Sequence, residues 1–288
     1  MVSTCSNYSD TLDNDLFGTA DVDASHCYRK FSVTKWHHGV ELEGEEKIAQ
    51  EIPVALVYNG VSHVVMMATP NNLEDLALGF SLSEGIVDCV DEFHGIDSNV
   101  RPQGIELHIE ISTRQFVRLK QWRRNQTGRT GCGLCGTESL QQAVRELPSI
   151  NGGADLRAPV LQQALAELDA HQPLQYQTGA SHCAAWYQAA SGHLLMLRED
   201  VGRHNALDKL IGGLKRQGTE LSEGFALISS RASYEMVAKS CHAGIGSLVA
   251  VSAPTALAVD MARQAGLTLI GFARPGRFIV YNQPGKNI

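Results

Sequence analysis

Gly224-Phe-Ala-Leu-Ile-Ser-Ser-Arg-Ala-Ser233-Tyr-Glu-Met-Val-Ala-Lys-Ser-Cys-His-Ala243-Gly-Ile-Gly-Ser-Leu-Val-Ala-Val-Ser252 reads as strand, turn, helix and strand in succession. Residues 224–229 and 248–252 are the strands, and 234–243 the helix between them. The pattern extends outward on both sides. Upstream, strands are predicted over 183–187 and 194–198. They precede a helix over 206–214, in which Leu207, Leu210, Ile211 and Leu214 recur at helical spacing. Downstream, a helix over 256–265 leads to strands over 267–272 and 278–281. Such alternation specifies an α/β sheet with helices on its faces. A short polar-faced helix is predicted over 161–168, after Pro159.

The half before this region has a different character. Residues 51–58 and 61–67 flank Asn59-Gly60, whose residues supply the positive φ angles of a tight hairpin turn. Thr69-Pro70 ends the second strand. A helix over 73–85 follows, with Asn72 as its cap and Leu73, Leu76, Ala77, Phe80 and Leu82 turned inward. Gly104-Ile-Glu-Leu-His-Ile-Glu-Ile-Ser112 alternates strictly, as a half-buried strand does. Residues 1–27 are rich in Ser, Asn, Asp and Thr and read as a tail. The expected organisation is therefore α/β of the α+β two-domain kind: a tail over 1–27, a smaller β-rich domain over 28–126, and a larger α/β domain over 127–288.

Composition narrows the function. The net charge of −7 argues against nucleic acid as the main partner, because phosphate backbones need a broad cationic face. It leaves room for one anionic ligand in a local basic pocket. Seven scattered cysteines suit a reduced cytoplasm better than a disulfide framework. No Lys or Arg precedes Arg29 and no apolar run follows it, so no secretory signal is expected. No stretch is apolar for long enough to cross a bilayer.

The chemistry points to Gly128-Arg-Thr-Gly-Cys132-Gly-Leu-Cys135-Gly136. Glycines flank both thiols, and Arg118, Lys120, Arg123, Arg124 and Arg129 precede them. Nearby positive charge favours the thiolate, which is both nucleophile and metal ligand. Three readings stand. A structural zinc site needs a second ligand pair, and the other cysteines and histidines are dispersed. A thioredoxin-like dithiol belongs just after the first strand of a small fold, not at mid-chain. A mobile thiol that accepts and passes on sulfur as a persulfide fits the glycines and the basic run. A fourth possibility joins His108-Ile-Glu110 to the CxxC, echoing zinc deaminases. Against it, His108 lies in an alternating strand and Gly131 stands where that signature has proline. No metal ligands are assigned.

Three turns in the second half could hold an anion. Arg198-Glu-Asp-Val-Gly-Arg-His-Asn205 places Arg203 beside a helix start, with Asn205 as the cap. Ser229-Ser-Arg231-Ala-Ser233 and Ser252-Ala-Pro-Thr255 occupy the same kind of strand-to-helix junction. Ligands of open α/β sheets gather at the carboxyl ends of strands. Taken singly, each turn reads as ordinary helix capping; together they point to a phosphate-rich ligand. Phe272-Ala273-Arg274-Pro275-Gly276-Arg277 adds two guanidiniums on a tight turn, suited to phosphate or a planar ring. Cys183 and Cys241 read as buried core thiols.

With these motifs in place, residues 47–281 resemble the FdhD family of formate dehydrogenase accessory sulfurtransferases. The likeness rests on Glu51-Ile-Pro-Val-Ala-Leu-Val-Tyr-Asn-Gly60, Leu76-Ala-Leu-Gly-Phe-Ser-Leu-Ser-Glu-Gly85, the CxxC segment, Glu199-Asp-Val-Gly-Arg-His-Asn205 and Ser230-Arg-Ala-Ser-Tyr-Glu-Met-Val237. Cys183 departs from it, standing where the family usually has Ala. The resemblance implies a cytoplasmic sulfur carrier. Such a protein takes sulfur from a cysteine desulfurase and delivers it to the molybdenum cofactor, in its bis(guanine dinucleotide) form, for formate dehydrogenase. It further implies a C-terminal domain of cytidine-deaminase-like topology without the deaminase zinc, and a homodimer. Cys132 then corresponds to the persulfide-forming cysteine and Cys135 to its partner. Phe272 to Arg277 correspond to the cofactor-binding segment. Arg203 and Arg231, read from their own turns, are expected as further phosphate ligands, with a guanine nucleotide as the simplest fragment of the cargo. A non-enzymatic cofactor chaperone is the alternative.

Overall fold

Twelve strands in three sheets, with seven helices packed around them, make up the described part of the chain. The computed structural model describes residues 27–124, 144–150 and 153–285. Cys132 and Cys135, and with them the expected sulfur-carrying loop, lie outside the described residues. None of the described helices is long and apolar enough to cross a membrane.

The first sheet is a ribbon of β1 (Tyr28–His37) and β2 (Val40–Ala49), joined by His38-Gly39 with both φ angles positive, 49° and 86°. The second has the order β4 (Val61–Ala68), β3 (Ile52–Tyr58), β6 (Gly104–Ile111), β5 (Phe93–Arg101). Asn59 (φ 44°) and Gly60 (φ 77°) form the predicted turn between β3 and β4. In β6 the predicted alternation holds: Leu107, Ile109 and Ile111 are buried, while Glu106 and His108 face away from the core. The helix α1 (Leu73–Ser83) covers the inner face of this sheet, and α2 (Thr113–Arg124) follows β6. Asn72 is not the expected side-chain cap. It sits in the left-handed region at φ 48°, and its side chain makes no capping bond.

The third sheet has six strands in the order β12-β11-β10-β9-β7-β8. They are β7 (His182–Gln188), β8 (Leu194–Asp200), β9 (Gly224–Ile228), β10 (Ser247–Ala250), β11 (Thr268–Arg274) and β12 (Arg277–Asn282). Strands β8, β9, β10 and β11 are mutually parallel, and β7 and β12 oppose them. All four parallel strands therefore end at one edge of the sheet, where β7 and β12 begin. Side chains alternate between two cores. Ala226 and Ile228 of β9 face a cluster with α5 (Arg203–Arg216), α6 (Tyr234–Ala243) and α7 (Ala256–Ala265). Phe225 and Leu227 face α3 (Ala158–Leu168), which covers the other side. A short helix, α4 (Pro173–Thr178), leads into β7.

One apolar cluster runs from Leu56 and Leu107 through Leu76 of α1 to Leu207 and Leu210 of α5. Each fully buried side chain of this size contributes roughly 1.5–3 kcal/mol. The α1–α5 contact is close because glycines meet backbone. A Cβ on Gly79 would come within 1.7 Å of the Asp208 carbonyl oxygen, and one on Gly212 within 1.9 Å of that of Asp75. Buried ions tie the same elements together. Asp75 pairs with Arg198 (2.8 Å) and Arg216 (2.9 Å), and Lys239 bridges Asp208 (2.9 Å) and Glu84 (2.8 Å). Burial opposes the Lys239 charge, yet the two carboxylates hold its pKa above the ordinary ammonium value.

Candidate functional site

The turns 201–202, 229–233, 251–255 and 275–276 follow the carboxyl ends of β8, β9, β10 and β11, with β7 standing between β8 and β9. In the strand order β10 alone lies between β9, which leads into the Arg231 turn, and β11, which leads into the Arg274 turn. The two middle turns are joined: Ala232 pairs with Pro254, and Thr255 N donates to the Ala232 carbonyl. The structure thus brings Arg203, Arg231 and the Phe272–Arg277 segment to one edge.

Arg203 opens α5, three residues earlier than predicted. Asn205 is therefore not the cap but lies inside the helix, where its Nδ2 donates to the Met67 carbonyl (2.8 Å) and to Asp200 Oδ1 (3.1 Å). Acidic residues of the same motif serve the fold. Buried Asp200 accepts from Thr69 N and Gly202 N and pairs with fully buried Lys209 at 2.7 Å. Glu199 accepts from Leu174 N and Gln175 N at the start of α4. What remains for the edge is Arg203 and His204. His204 Nε2 lies 2.9 Å from Glu235 Oε2, and Arg203 Nη2 lies 3.9 Å from the same oxygen. The His204 contact holds the Glu235 carboxyl below its ordinary value, with Arg203 assisting. The Arg203 Nε is buried and has no hydrogen-bond partner among the described residues. His182, the first residue of β7, is lowered by burial, with Arg203 and His204 close enough to add repulsion.

The turn hydroxyls are mostly engaged locally. Ser229 Oγ accepts from Cys183 N, Ser230 Oγ donates to the Arg231 carbonyl, and Thr255 caps α7 by accepting from Ala258 N. The Arg274–Arg277 turn has Pro275 and Gly276 (φ 83°) at its centre, the residue types and angle of a type II turn. Gln162 of α3 braces it by accepting from Gly276 N at 2.6 Å. Arg274 and Arg277 are direct cross-strand partners, both exposed. A register shift between Gly271 and Arg274 places Phe272 in a bulge at φ 48°, a left-handed conformation unusual for an aromatic residue. Its N donates to the Ser252 carbonyl at 3.0 Å and its ring is partly exposed. No ion pair involves Arg231, Arg274 or Arg277 among the described residues.

Elsewhere, Arg118 of the basic run pairs with Asp88 at 2.9 Å, so its charge is engaged there. His108 contacts Glu106 at 3.1 Å on the four-stranded sheet. Burial pushes the thiols of Cys183 and Cys241 up to about 12, as expected of inert core cysteines. Sequence reasoning missed His182, Gln162 and the Glu235 partner of His204. Only the last had a usable signal, a carboxylate two residues after the Ser230-Arg-Ala-Ser233 turn.

The FdhD/NarQ family model matches residues 49–288. The chain belongs to the FdhD/NarQ family. A "Sulfur carrier protein FdhD" of Cupriavidus necator is 52% identical over 256 residues, covering 89% of this chain and 88% of that protein. The protein of the same name from Xanthomonas euvesicatoria is 51% identical over 255 residues, covering 88% and 90%. Among solved structures, a protein from Desulfotalea psychrophila described as a formate dehydrogenase accessory protein superposes with a TM-score of 0.69. It is 23% identical and covers 90% of this chain and 98% of its own, a likeness of fold.

Proposed function

We propose that this protein is a sulfur carrier acting as a sulfurtransferase. In this reading it accepts sulfur as a persulfide on Cys132 from a cysteine desulfurase. It then passes the sulfur to the molybdenum cofactor, in its bis(guanine dinucleotide) form, for formate dehydrogenase. Family membership and the name carried by its relatives support sulfur carriage. The observation that carries the cargo assignment is the sheet edge, where Arg231, Arg274 and Arg277 stand exposed with no carboxylate partner among the described residues. Guanidiniums suit phosphate bidentately and stack on planar bases, and a dinucleotide offers both.

The first step is a thiolate attack on the sulfane sulfur of the donor's persulfide. A new S–S bond forms on Cys132, the donor's S–S bond breaks, and the donor cysteine leaves as thiolate. In the second step Cys135 thiolate attacks the inner sulfur of Cys132. The outer sulfur leaves as hydrosulfide for molybdenum, and the two cysteines supply its two electrons by forming a disulfide. A thiol reductant must reopen that disulfide before the next turn.

Chain length supports delivery at this edge. Arg145 N donates to Tyr234 Oη at 2.8 Å, where α6 begins, and the Arg145 guanidinium lies 5.0 Å from the ring centre of Trp122 near the end of α2. Cys135 precedes Arg145 by ten residues. An extended chain covers up to about 3.5 Å per residue, so either thiol has the reach to meet a ligand on the edge.

Intact-protein mass spectrometry after incubation with a cysteine desulfurase and cysteine tests the reading. The wild type should gain one sulfur atom and Cys132→Ala none. Cys135→Ala should still gain sulfur but release it slowly. A wild type that binds GDP yet never gains sulfur would replace this reading with the chaperone.

A further inference from the structure

The Arg274–Arg277 turn holds an arrangement that its own sequence opposes. Its two guanidinium residues are cross-strand partners, and like charges directly opposite each other destabilise a strand pair. Both are exposed, and no carboxylate pairs with either among the described residues. Phe272, two residues upstream, sits at φ 48°, a left-handed conformation that strains an aromatic residue. The internal hydrogen bond of a β-turn joins its first and fourth residues, so Gly276 N needs a partner from outside the turn. Left to itself, such a segment would splay.

Two ties from other elements hold it. Phe272 N donates to the Ser252 carbonyl, just past β10, at 3.0 Å. From α3, the Gln162 side chain meets the turn with both of its polar atoms. Its Oε1 accepts from Gly276 N at 2.6 Å, and its Nε2 donates to the Arg274 carbonyl at 3.5 Å. Packing fixes the approach of α3, because Leu161 and Leu165 are buried in the same cluster as Ala273. The amide therefore comes from a rigid element. It also suits the task better than a carboxylate would. An amide carries donor and acceptor together and sets no negative charge beside the two guanidiniums.

We propose that Gln162 is a positioning residue for the cargo: by fixing the backbone of the turn, it presents Arg274 and Arg277 together to an anionic ligand before that ligand arrives. The inference rests on the assignment of the nucleotide cargo to this edge. A loop ordered in advance binds more tightly, because binding no longer has to supply the order. Where only a fraction of molecules is competent, the apparent dissociation constant rises in inverse proportion to that fraction. Charge repulsion and the strained Phe272 both push the free turn away from its competent form, so the brace has an equilibrium to shift.

Gln162→Leu tests this, since leucine keeps the helix propensity of glutamine and has no polar atom to offer the turn. The melting temperature should stay near that of the wild type, as for most substitutions outside the core. Amide exchange at Gly276, followed by NMR on the ligand-free protein, should quicken about fivefold, the worth of one ordinary hydrogen bond. The dissociation constant for GDP, from calorimetry, should rise about fivefold for the same reason. In an Arg274→Ala/Arg277→Ala background, titrated by NMR at millimolar GDP, the same substitution should change affinity by less than about twofold, because the groups through which Gln162 acts are gone. A loss caused by a weakened fold would persist there. A wild type that binds no GDP would refute the cargo assignment and this inference with it. If the wild type binds, an equal affinity in Gln162→Leu, unchanged exchange at Gly276, or an undiminished effect in the arginine-free background would each overturn the inference alone.

Discussion

Replacing both guanidiniums of the Pro275-Gly276 turn should separate ligand binding from stability, with effects of opposite sign. Arg274 and Arg277 are cross-strand partners at the mouth of the turn, exposed and without an ion pair among the described residues. Like charges directly opposite each other destabilise a strand pair, on a scale of about 0.2–1 kcal/mol. Arg274→Ala/Arg277→Ala should therefore leave the free protein as stable as before, or a few tenths of a kcal/mol more stable on that scale. Binding should move the other way. One hydrogen bond to a charged group contributes roughly 1.5–3 kcal/mol, so Arg277→Ala alone should weaken GDP binding by about one to two decades. The double variant should lose more than either single one. Because the net charge is −7, attraction is local, and wild-type affinity should fall as salt rises while the double variant responds less. Titration calorimetry with GDP, paired with a thermal melt of the free proteins, measures both signs. Unchanged affinity with a clear fall in melting temperature would make the turn a structural element and refute the reasoning.

His182 should make stability and binding depend on pH in opposite ways. Burial lowers its folded pKa, so its contribution is complete above the unfolded value of about 6.5 and is lost as pH falls from there through the lower folded value. A bound phosphate nearby would draw the proton back. GDP binding should then take up protons and tighten between neutral and mildly acidic pH, and His182→Gln should abolish that uptake in calorimetry run in buffers of different ionisation enthalpy; uptake that persists would assign it elsewhere. Gly79→Ala should destabilise the fold by about 3 kcal/mol or more, above the usual range for overpacking, because its Cβ would meet the Asp208 carbonyl rather than a side chain. A denaturant midpoint within error of wild type would show that α1 and α5 separate without cost.

The C-terminal layers were legible because local signals agreed with the global fold. α6 and α7 keep the bounds read from sequence, 234–243 and 256–265, and each ends on a left-handed glycine, Gly244 or Gly266. Asn59-Gly60 likewise declared its turn. The β1–β2 arm was not legible. His38-Gly39 is a weaker turn signal, and strands with little burial on either face carry no in–out alternation to read. Strand β5 was missed for a related reason: Gly95, Asp97 and Asn99 are poor strand formers, and the segment is held at the sheet edge by β6. α2 read only as a basic run, although Leu119 is buried. At the candidate site, the arginines could be found in sequence, but their supports could not. Gln162 and Gly276 are 114 residues apart and meet only once α3 lies across the sheet.

The motif from Glu199 to Asn205 shows why a charge-rich segment is hard to divide between fold and function without coordinates. As sequence it reads as one anion cradle. In the structure Asp200 is fully buried among Thr69 N, Gly202 N, Asn205 and Lys209, and Lys209 also donates to the Thr69 carbonyl and to Asn71 Oδ1. Those contacts fasten the end of β4 to the start of α5. A buried charge left without its partner costs several kcal/mol, so this network fixes the fold locally. Arg203 immediately follows that anchored segment, with its Nε buried and unbonded among the described residues. The anchored acid thus fixes the backbone at Gly202, from which Arg203 follows. Position along the chain cannot distinguish the two roles; burial and partnering do. Charges that are buried and paired hold the edge in place, and the exposed, unpaired arginines along it are the ones left to meet a ligand.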